Sequence, residues 1–275
     1  MRILDHMRCT LAIDRGEAQI YYDDEIQEPF DAVIPRIGSS VTQQGAAVIN
    51  HFEMMKVFCT TNSDALLYAR DKLRCLQKLA FAGIETPKTI AAGEGQNIGA
   101  LLSNFSSMPI IVKLLESTHG AGVMLAETRR SAEATVEAFQ KLGERVIMQE
   151  FIAEASGSDV RAFVVDGKVV AAMERRAKEG EFRSNLHRGA SAVSTILSKE
   201  EEWVAQHAAK ILGLSIAGVD LLRSERGPLI IEVNASPGLE GIETVTGVDV
   251  AGRIISFIER EIEQSQTKQL ALAFG

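Results

Sequence analysis

Three oxygen-bearing side chains in the C-terminal third could do chemistry together: Asp220 in "GVDLL", and Glu232 and Asn234 in "LIIEVNASPGLEG". Each interrupts an apolar run that reads as a buried strand, and a buried ionised carboxylate costs several kcal/mol unless a cation compensates it. Residues 216–234 read as a hairpin turning near Arg226, with Gly227 suited to a positive φ. Paired positions in an antiparallel hairpin keep a constant sum. Asp220 and Glu232 should therefore face each other with Cβ atoms ~5 Å apart, although a bulge at the turn would shift this by one. Asn234, two residues on, shares that face. Carboxylates placed opposite each other repel. A hard cation, Mg²⁺ or in its place Mn²⁺, removes the conflict by binding such oxygens. The competing arrangement is a carboxylate pair salt-bridged to arginines or open to solvent.

Mg²⁺ with few protein ligands usually also holds nucleotide phosphates, and a second group of residues suits phosphates. "ESTHGAGV" (116–123) is a glycine-rich loop between two strands, where backbone N–H groups can wrap an anion. It is not a Walker A motif, since no Lys-Ser/Thr follows, and alone it reads equally as a hairpin loop. Lys113 sits inside "IIVKLL", where an ammonium needs an anionic partner or a route to water. Glu150 breaks the apolar strand of "MQEFI"; its carboxylate or nearby backbone acceptors could read an adenine amino group, or it could be a salt-bridged edge residue. The stretch 174–190, "ERRAKEGEFRSNLHRGA", is cationic and interrupted by Gly180 and Gly189. It suits a loop folding over anions, with Arg183 and Asn185 clamping a transferring phosphoryl group. A cationic run is more usually a solvated face, and His187 alone is better explained as structural. No Ser/His/Asp or Cys/His set stands at a recognisable spacing.

The elements that must position these groups are legible in outline. Helices are expected over 43–55, from the Asn62-Ser63-Asp64 cap, over 71–83 with Gly83 as the stop, over 131–141, over 199–212 from a Ser198/Glu201 capping box to Gly213, and over 249–264. Strands are expected over 30–38, 56–60, 109–116, 123–128 and 145–152. A hairpin over 159–177 turns at Asp166-Gly167. The segment after Asn234 shows no helical pattern, and the tail from residue 265 is expected to fray. This is α+β patterning with antiparallel hairpins. No GxGxxG follows a strand, so a dinucleotide-binding domain is not indicated.

Composition narrows the partners. The chain of 275 residues is 46% hydrophobic and carries 29 basic against 37 acidic residues, net −8. That argues against broad nucleic-acid binding, which needs a basic surface. No apolar run approaches the roughly 18 residues of a membrane span, and "MRILDHMRC" lacks the apolar segment of a signal peptide. Cys9, Cys59 and Cys75 form no CxxC pair, so neither a zinc site nor a disulfide framework is supported and a cytoplasmic location is expected.

Taken in order, Lys113, "STHGAG", "QEFI", "DVRAFVV", "RRAKEGEFRSNLHRGA", "GVDLL" and "EVNASPGLEGIE" resemble the ATP-grasp superfamily. "AVIPRIG", "RDKL", "RRAKEGEFRSNLHRG" and "EVNASPGLEGIE" are most similar to the RimK-type ribosomal-protein glutamate ligases, over residues 28–262. The resemblance implies an ATP-grasp fold, two α+β lobes gripping ATP, preceded by a small α/β domain. The division would be 1–61 for that domain, 62–148 and 149–264 for the lobes, and 265–275 for a tail. The small domain looks truncated: its first strand and helix are missing, and "MRILD" resembles a second strand. Lys113 matches a lysine on the ATP phosphates, and Lys72 a second lysine near ATP. Glu150 and Phe151 match the adenine-reading linker, Asp159 a ribose contact, and Arg183, Ser184 and Asn185 a nucleotide-binding stretch. Asp220, Glu232 and Asn234 match ligands of Mg²⁺ or Mn²⁺, two ions in all. Lys113 and Arg183 would be the catalytic cations.

What the resemblance implies chemically is ATP-dependent amide formation through an acyl phosphate. Glutamate would be added to the C-terminus of the sixth protein of the small ribosomal subunit, and poly-glutamate could also be made. A homo-oligomer is expected, with no nucleic-acid or membrane partner. A ligase with another amino-acid or peptide acceptor would keep every nucleotide residue. A non-catalytic ATP-binding interaction protein is the third reading; it has no need of all three metal ligands.

Overall fold

A computed structural model describes residues 1–28, 30–115, 122–155, 157–178, 180–184 and 189–274, with side chains described as far as Thr267. The expectations for Asn185, His187 and most of the glycine-rich loop (116–121) lie outside the described residues.

"MRILD" is not a strand. The Asp5 side chain accepts from the Met7 amide and caps a 3-10 turn, His6–Arg8. An antiparallel hairpin follows, β1 (Cys9–Asp14) with β2 (Glu17–Tyr22), and β3 (Glu25–Ile26) extends it. Its turn, Arg15-Gly16, takes φ of 50° and 88°, a conformation that a glycine at the second position makes easy. Sequence reading passed over this hairpin. Next, β4 (Ala32–Val33) runs parallel to β5 (Phe58–Cys59), with α1 (Thr42–Met54) as the crossover. Val48 and Phe52 of α1 bury against Cys9 and Ile20, which fastens the hairpin to the crossover helix.

Two helices come next. Asn62 caps α2 (Ser63–Arg70) by accepting from the Ala65 amide, and Asp71 caps α3 (Lys72–Phe81) by accepting from Arg74. The chain then builds β6 (Thr89–Ala91), α4 (Ile98–Leu102), β7 (Ile110–Leu114), β8 (Val123–Ala126), α5 (Arg129–Lys141) and β9 (Val146–Glu150). The four strands pair antiparallel in the order β6-β9-β7-β8. Strand alternation then decides the sheet's two faces. Ile110, Val112, Val146 and Met148 bury against Leu102, Ala132 and Val136 of α4 and α5. Ile111, Lys113, Ile147 and Gln149 point the other way.

The last sheet contains β10 (Ser158–Val165), β11 (Lys168–Arg176), β12 (Ser191–Ser194), β13 (Ile216–Ser224) and β14 (Gly227–Asn234), in the order β12-β11-β10-β13-β14. Between β12 and β13 lies α6 (Lys199–Leu212), held at its start by the reciprocal Ser198/Glu201 capping box and ended by Gly213 in the left-handed region. Ala162, Val164, Val219, Ile230 and Val233 bury against α6, α2 and α3. On the opposite face, Phe163, Met173 and Ile216 bury against α7 (Glu240–Thr246) and α8 (Val250–Phe274). The rest of that face, toward β14, is polar and looks at the four-stranded sheet.

Four further elements differ from expectation. Residues 240–246 are helical although no side chain caps them; burial of Ile242 holds the turn in place. α4 and β12 were not anticipated: α4, although capped by Asn97, spans five residues and β12 four, too short for a periodicity to be read. The last helix runs to Phe274 instead of fraying from residue 265.

Candidate active site

Asp220 pairs with Glu232 across β13 and β14, as anticipated, but by a different route. The turn is Glu225-Arg226, pairing Ser224 with Gly227, half a residue away from the expected centre. A bulge opposite Asp220 and Leu221 leaves Ile231 unpaired and restores the register. Asn234, opposite Gly218, is one pleat further along the same face.

That face carries a row of charges across four strands. Arg175 on β11 opposes Asp159 on β10, Arg161 on β10 opposes Asp220 on β13, and Asp220 opposes Glu232 on β14. Arg175 donates from Nε and Nη2 to both oxygens of Asp159, at 2.7 and 2.6 Å. Arg161 grips Asp220 in the same two-pronged way, at 2.7 and 2.6 Å, and Arg175 reaches Asp220 as well, at 3.0 Å. Forked pairs of this kind are strong and directional. Burial alone would push the Asp220 carboxyl up, but Arg161 and Arg175 outweigh it and hold it below its ordinary value. Burial raises Asp159, with Arg175 pulling against it and Asp220 adding to the rise. Sequence reading missed Arg161 and Arg175. The sequence places Arg175 at the end of the 159–177 hairpin and counts it in the cationic stretch 174–190 without a role of its own, whereas the residue is buried inside β11 and bound to two carboxylates. The alternation Asp159-x-Arg161 was the available signal, since period 2 puts both on the face that bears Asp220.

The four-stranded sheet supplies the opposite wall. Lys113 donates from Nζ to Gln149 Oε1 at 2.6 Å, and Gln149 is fixed by its own bond to Thr89. Burial lowers the Lys113 ammonium to about 8, against the pull of Glu232. Lys72, at the start of α3, donates to the Leu115 carbonyl at 3.1 Å. Phe151 and Ile152 follow β9 along the rim. The Glu150 carboxylate is turned away, accepting from the Lys88 amide at 2.7 Å and from Arg226 at the tip of the β13–β14 turn. Burial pushes Glu150 up, and those two donors bring it below its ordinary value. Only the backbone of that segment is left to face an adenine edge. Arg183 is held by Glu181, at 3.0 and 2.7 Å, and Ser184 is buried and bonded to Asp159. One cavity takes in Lys72, Lys113, Phe151, Arg183, Asp220 and Glu232, with Glu150, Asp159 and Ser184 also on its wall.

The donor set fits a hard divalent cation in part. Glu232 accepts no hydrogen bond or ion pair among the described residues, and the buried Nδ2 of Asn234 has no partner. An amide's oxygen and nitrogen are assigned from their surroundings, so that orphaned corner suits a ligand oxygen equally well. Asp220 is the exception, because its oxygens already serve two guanidiniums. A cation there would share them with Arg161 and Arg175. Among the described residues no trio of His, Cys, Asp and Glu could hold a metal, so the set depends on Asn234. The three cysteines are free, and no described helix is long and apolar enough to cross a membrane.

The chain is similar to known proteins. Residues 69–258 match the RimK-like ATP-grasp domain and residues 1–66 the RimK PreATP-grasp domain. A protein of Thioalkalivibrio sulfidiphilus named "Probable alpha-L-glutamate ligase" is 53% identical over 268 residues, covering 98% of this chain and 89% of that protein. A namesake from Aliivibrio fischeri is 52% identical over the same shares. Among solved structures, the ATP-grasp ligase PsnB complexed with precursor peptide PsnA2 and AMPPNP superposes with a TM-score of 0.71 at 20% identity, covering 94% of this chain and 88% of that one. The D-alanine-D-alanine ligase from Coxiella burnetii gives 0.70 at 16%, over 96% and 77%. Such distant likenesses establish the fold and no more. The close relatives and the two matched domains go further: this chain belongs to the RimK family of ATP-grasp ligases.

Proposed function

We propose that the protein is an ATP- and Mg²⁺-dependent ligase that joins glutamate to a C-terminal carboxylate, the acceptor being the sixth protein of the small ribosomal subunit. The carrying observation is the cleft itself. One wall offers a lysine below its ordinary pKa, and the other offers Asp220, Glu232 and Asn234 on a single sheet face. Cations and oxygen donors that converge across a cleft suit phosphoryl transfer, which needs positioning and charge stabilisation more than covalent help. In this reading Lys113 and Arg183 draw charge from the phosphates, and Lys72 closes the same side. Backbone groups of 150–152 read the base, and Asp159, Ser184 and Asn185 hold the sugar and phosphates. Asp220, Glu232 and Asn234 would hold Mg²⁺, which neutralises β- and γ-phosphate oxygens when bound. Manganese could substitute, and a second ion is part of the proposal. The lobe boundaries near residues 62 and 149 are proposed on the same basis.

The reaction proceeds by attack of an acceptor carboxylate oxygen on the γ-phosphorus, with cleavage of the bond to ADP. The glutamate amine then attacks the acyl carbon and phosphate leaves. None of the cleft residues named is placed as a nucleophile for a phospho-enzyme. The relatives named alpha-L-glutamate ligase support glutamate as the amine substrate. An acceptor peptide carrying ¹⁸O in its terminal carboxylate tests the route. One labelled oxygen should appear in phosphate per amide formed, whereas label in AMP with release of pyrophosphate would exclude the acyl phosphate. Running several acceptors separates the ribosomal assignment from another peptide or poly-glutamate.

A further inference from the structure

Gln149, on β9, lines the cleft and is only 2% exposed. A buried amide needs its hydrogen bonds satisfied, and here they run in a line across three strands. The Thr89 hydroxyl on β6 donates to the Pro87 carbonyl at 2.8 Å. Its one proton is thereby committed, so it accepts from Gln149 Nε2, at 2.9 Å. Oε1 is left to face Lys113 on β7, an ammonium that can only donate, at 2.6 Å. The amide is oriented from both sides, and a flip would leave neither neighbour with a partner. Register makes the line possible. Thr89 stands directly opposite Gln149, and Lys113 lies two residues along β7 from Ile111, the partner of Gln149 on that strand, so all three side chains share the cleft face.

Charge explains what the line does for Lys113. Glu232 on β14, Asp159 on β10 and Asp220 on β13 attract the ammonium from the opposite wall, and Lys72 on α3 repels it. An untethered lysine, on its flexible four-carbon stem, would follow those fields. Lys113 instead makes no ion pair among the described residues and is bonded to an uncharged acceptor on its own sheet. One N–H is used, the positive charge is not neutralised, and the other two N–H groups remain for an anion in the cleft. A carboxylate at residue 149 would hold the ammonium as well, but as an ion pair in competition with phosphate.

We propose that Gln149, fixed by Thr89, is a positioning residue that holds the Lys113 ammonium in place for the nucleotide phosphates while leaving its charge intact. This rests on the placing of Lys113 against phosphates in the reading above. Gln149 is itself on the cleft wall, so direct contact with the nucleotide is the alternative that the test must exclude.

The test is a double-mutant cycle in the full chain, read by the Kd for Mg-AMPPNP and the KM for glutamate. Gln149→Met removes the amide and keeps the length of the side chain. Lys113→Met removes the ammonium. Thr89→Val removes only the hydroxyl and serves if Gln149→Met does not fold. Gln149→Met should raise the Kd at least tenfold and Thr89→Val at least threefold, with KM for glutamate within twofold. In the Lys113→Met background both should change the Kd less than twofold, because the group they position is gone. A loss of the same size in both backgrounds would mean direct contact or general disturbance, and would overturn the inference while the ligase reading stood. So would an unchanged Kd in Gln149→Met. Gln149→Glu should also raise the Kd at least tenfold at pH 7, and wild-type affinity there would show that an uncharged acceptor is not what matters. If Lys113→Met alone left the Kd unchanged, the placing of Lys113 on the phosphates would fall, and this inference with it.

Discussion

Asp220 and Glu232 are chemically alike and electrostatically opposite. Asp220 is held by two guanidiniums, whereas Glu232 faces the cleft with no ion pair among the described residues. Glu232→Gln should therefore cost little in the metal-free protein. The repulsion it relieves is already offset by Arg161 and Arg175, and Lys113 loses a favourable neighbour. We expect stability without Mg²⁺ to hold within about 1 kcal/mol, and Mg²⁺-dependent turnover to be lost. Wild-type turnover would remove Glu232 from the metal assignment. Lys113 makes a pH prediction. Its folded pKa of about 8 lies below the ordinary 10.5. Between those values the unfolded chain holds more protons, so this group's contribution to stability rises with pH there. Phosphate binding needs the ammonium, so the sign for binding is reversed. Affinity for Mg-AMPPNP should be level below pH 8 and fall above it, by up to about tenfold per unit. Lys113→Arg should be flat from pH 7 to 9.5, and an equally flat wild type would contradict the assignment. At this scale the sequence showed which polar residues sit in apolar runs. It did not show their partners, because Arg161 and Arg175 meet Asp220 from other strands.

Elements were legible where local chemistry sets their ends. The Asn62 cap, the Ser198/Glu201 box, Gly213 and the Asp166-Gly167 turn are short-range signals, and each was readable. The Asp220–Glu232 pairing was reached from a turn centre half a residue off and a bulge opposite Leu221 that compensates for it. Period-2 reasoning tolerates two such offsets and fails on one. α7 depends on the burial of Ile242 against other elements, which no window of its own sequence contains. α8 shows the same division along one helix. Val250, Ile254, Phe257 and Ile258 are core residues, whereas 263–267 are exposed. A chain ending at residue 266 should melt within about 2 °C of the full protein, because exposed terminal turns contribute little. One ending at residue 256 removes Phe257 and Ile258, whose burial is worth about 1.5–3 kcal/mol each, and should melt far lower. Equal melting of the two would mean that α8 packs less firmly than its buried face indicates.

The whole molecule has separate apolar cores on either side of the cleft. One joins the four-stranded sheet to α4 and α5, and others join the five-stranded sheet to α6, α7 and α8. Between the two sides the described contacts are few and mixed: Glu150 with Arg226, the Glu225 amide with Glu154, the Ile230 amide with the Glu85 carbonyl, and two small apolar clusters, Leu76 with Leu115 and Ile147, and Ile152 and Ala155 with Leu229. An exposed ion pair contributes about 0–1 kcal/mol, and the two bridging clusters are small beside the cores on either side, so each sheet is held more firmly to its own helices than to the other sheet. Nucleotide would touch both walls, Lys113 on one and Asp159, Arg183 and Asp220 on the other. Trp203, the sole tryptophan, lies on α6 and reports only its own side, whereas circular dichroism reports the whole chain. Without ligand, the fluorescence transition should separate from the dichroism transition during thermal unfolding. With Mg-AMPPNP at a hundred times its Kd, the gain is about 2.7 kcal/mol, and the two curves should rise and coincide. Arg226→Ala should widen the separation only in the ligand-free protein. If nucleotide raised one transition and left the other in place, the ligand would be bound to a single sheet, and the two-walled cleft would not be the site where phosphoryl transfer occurs.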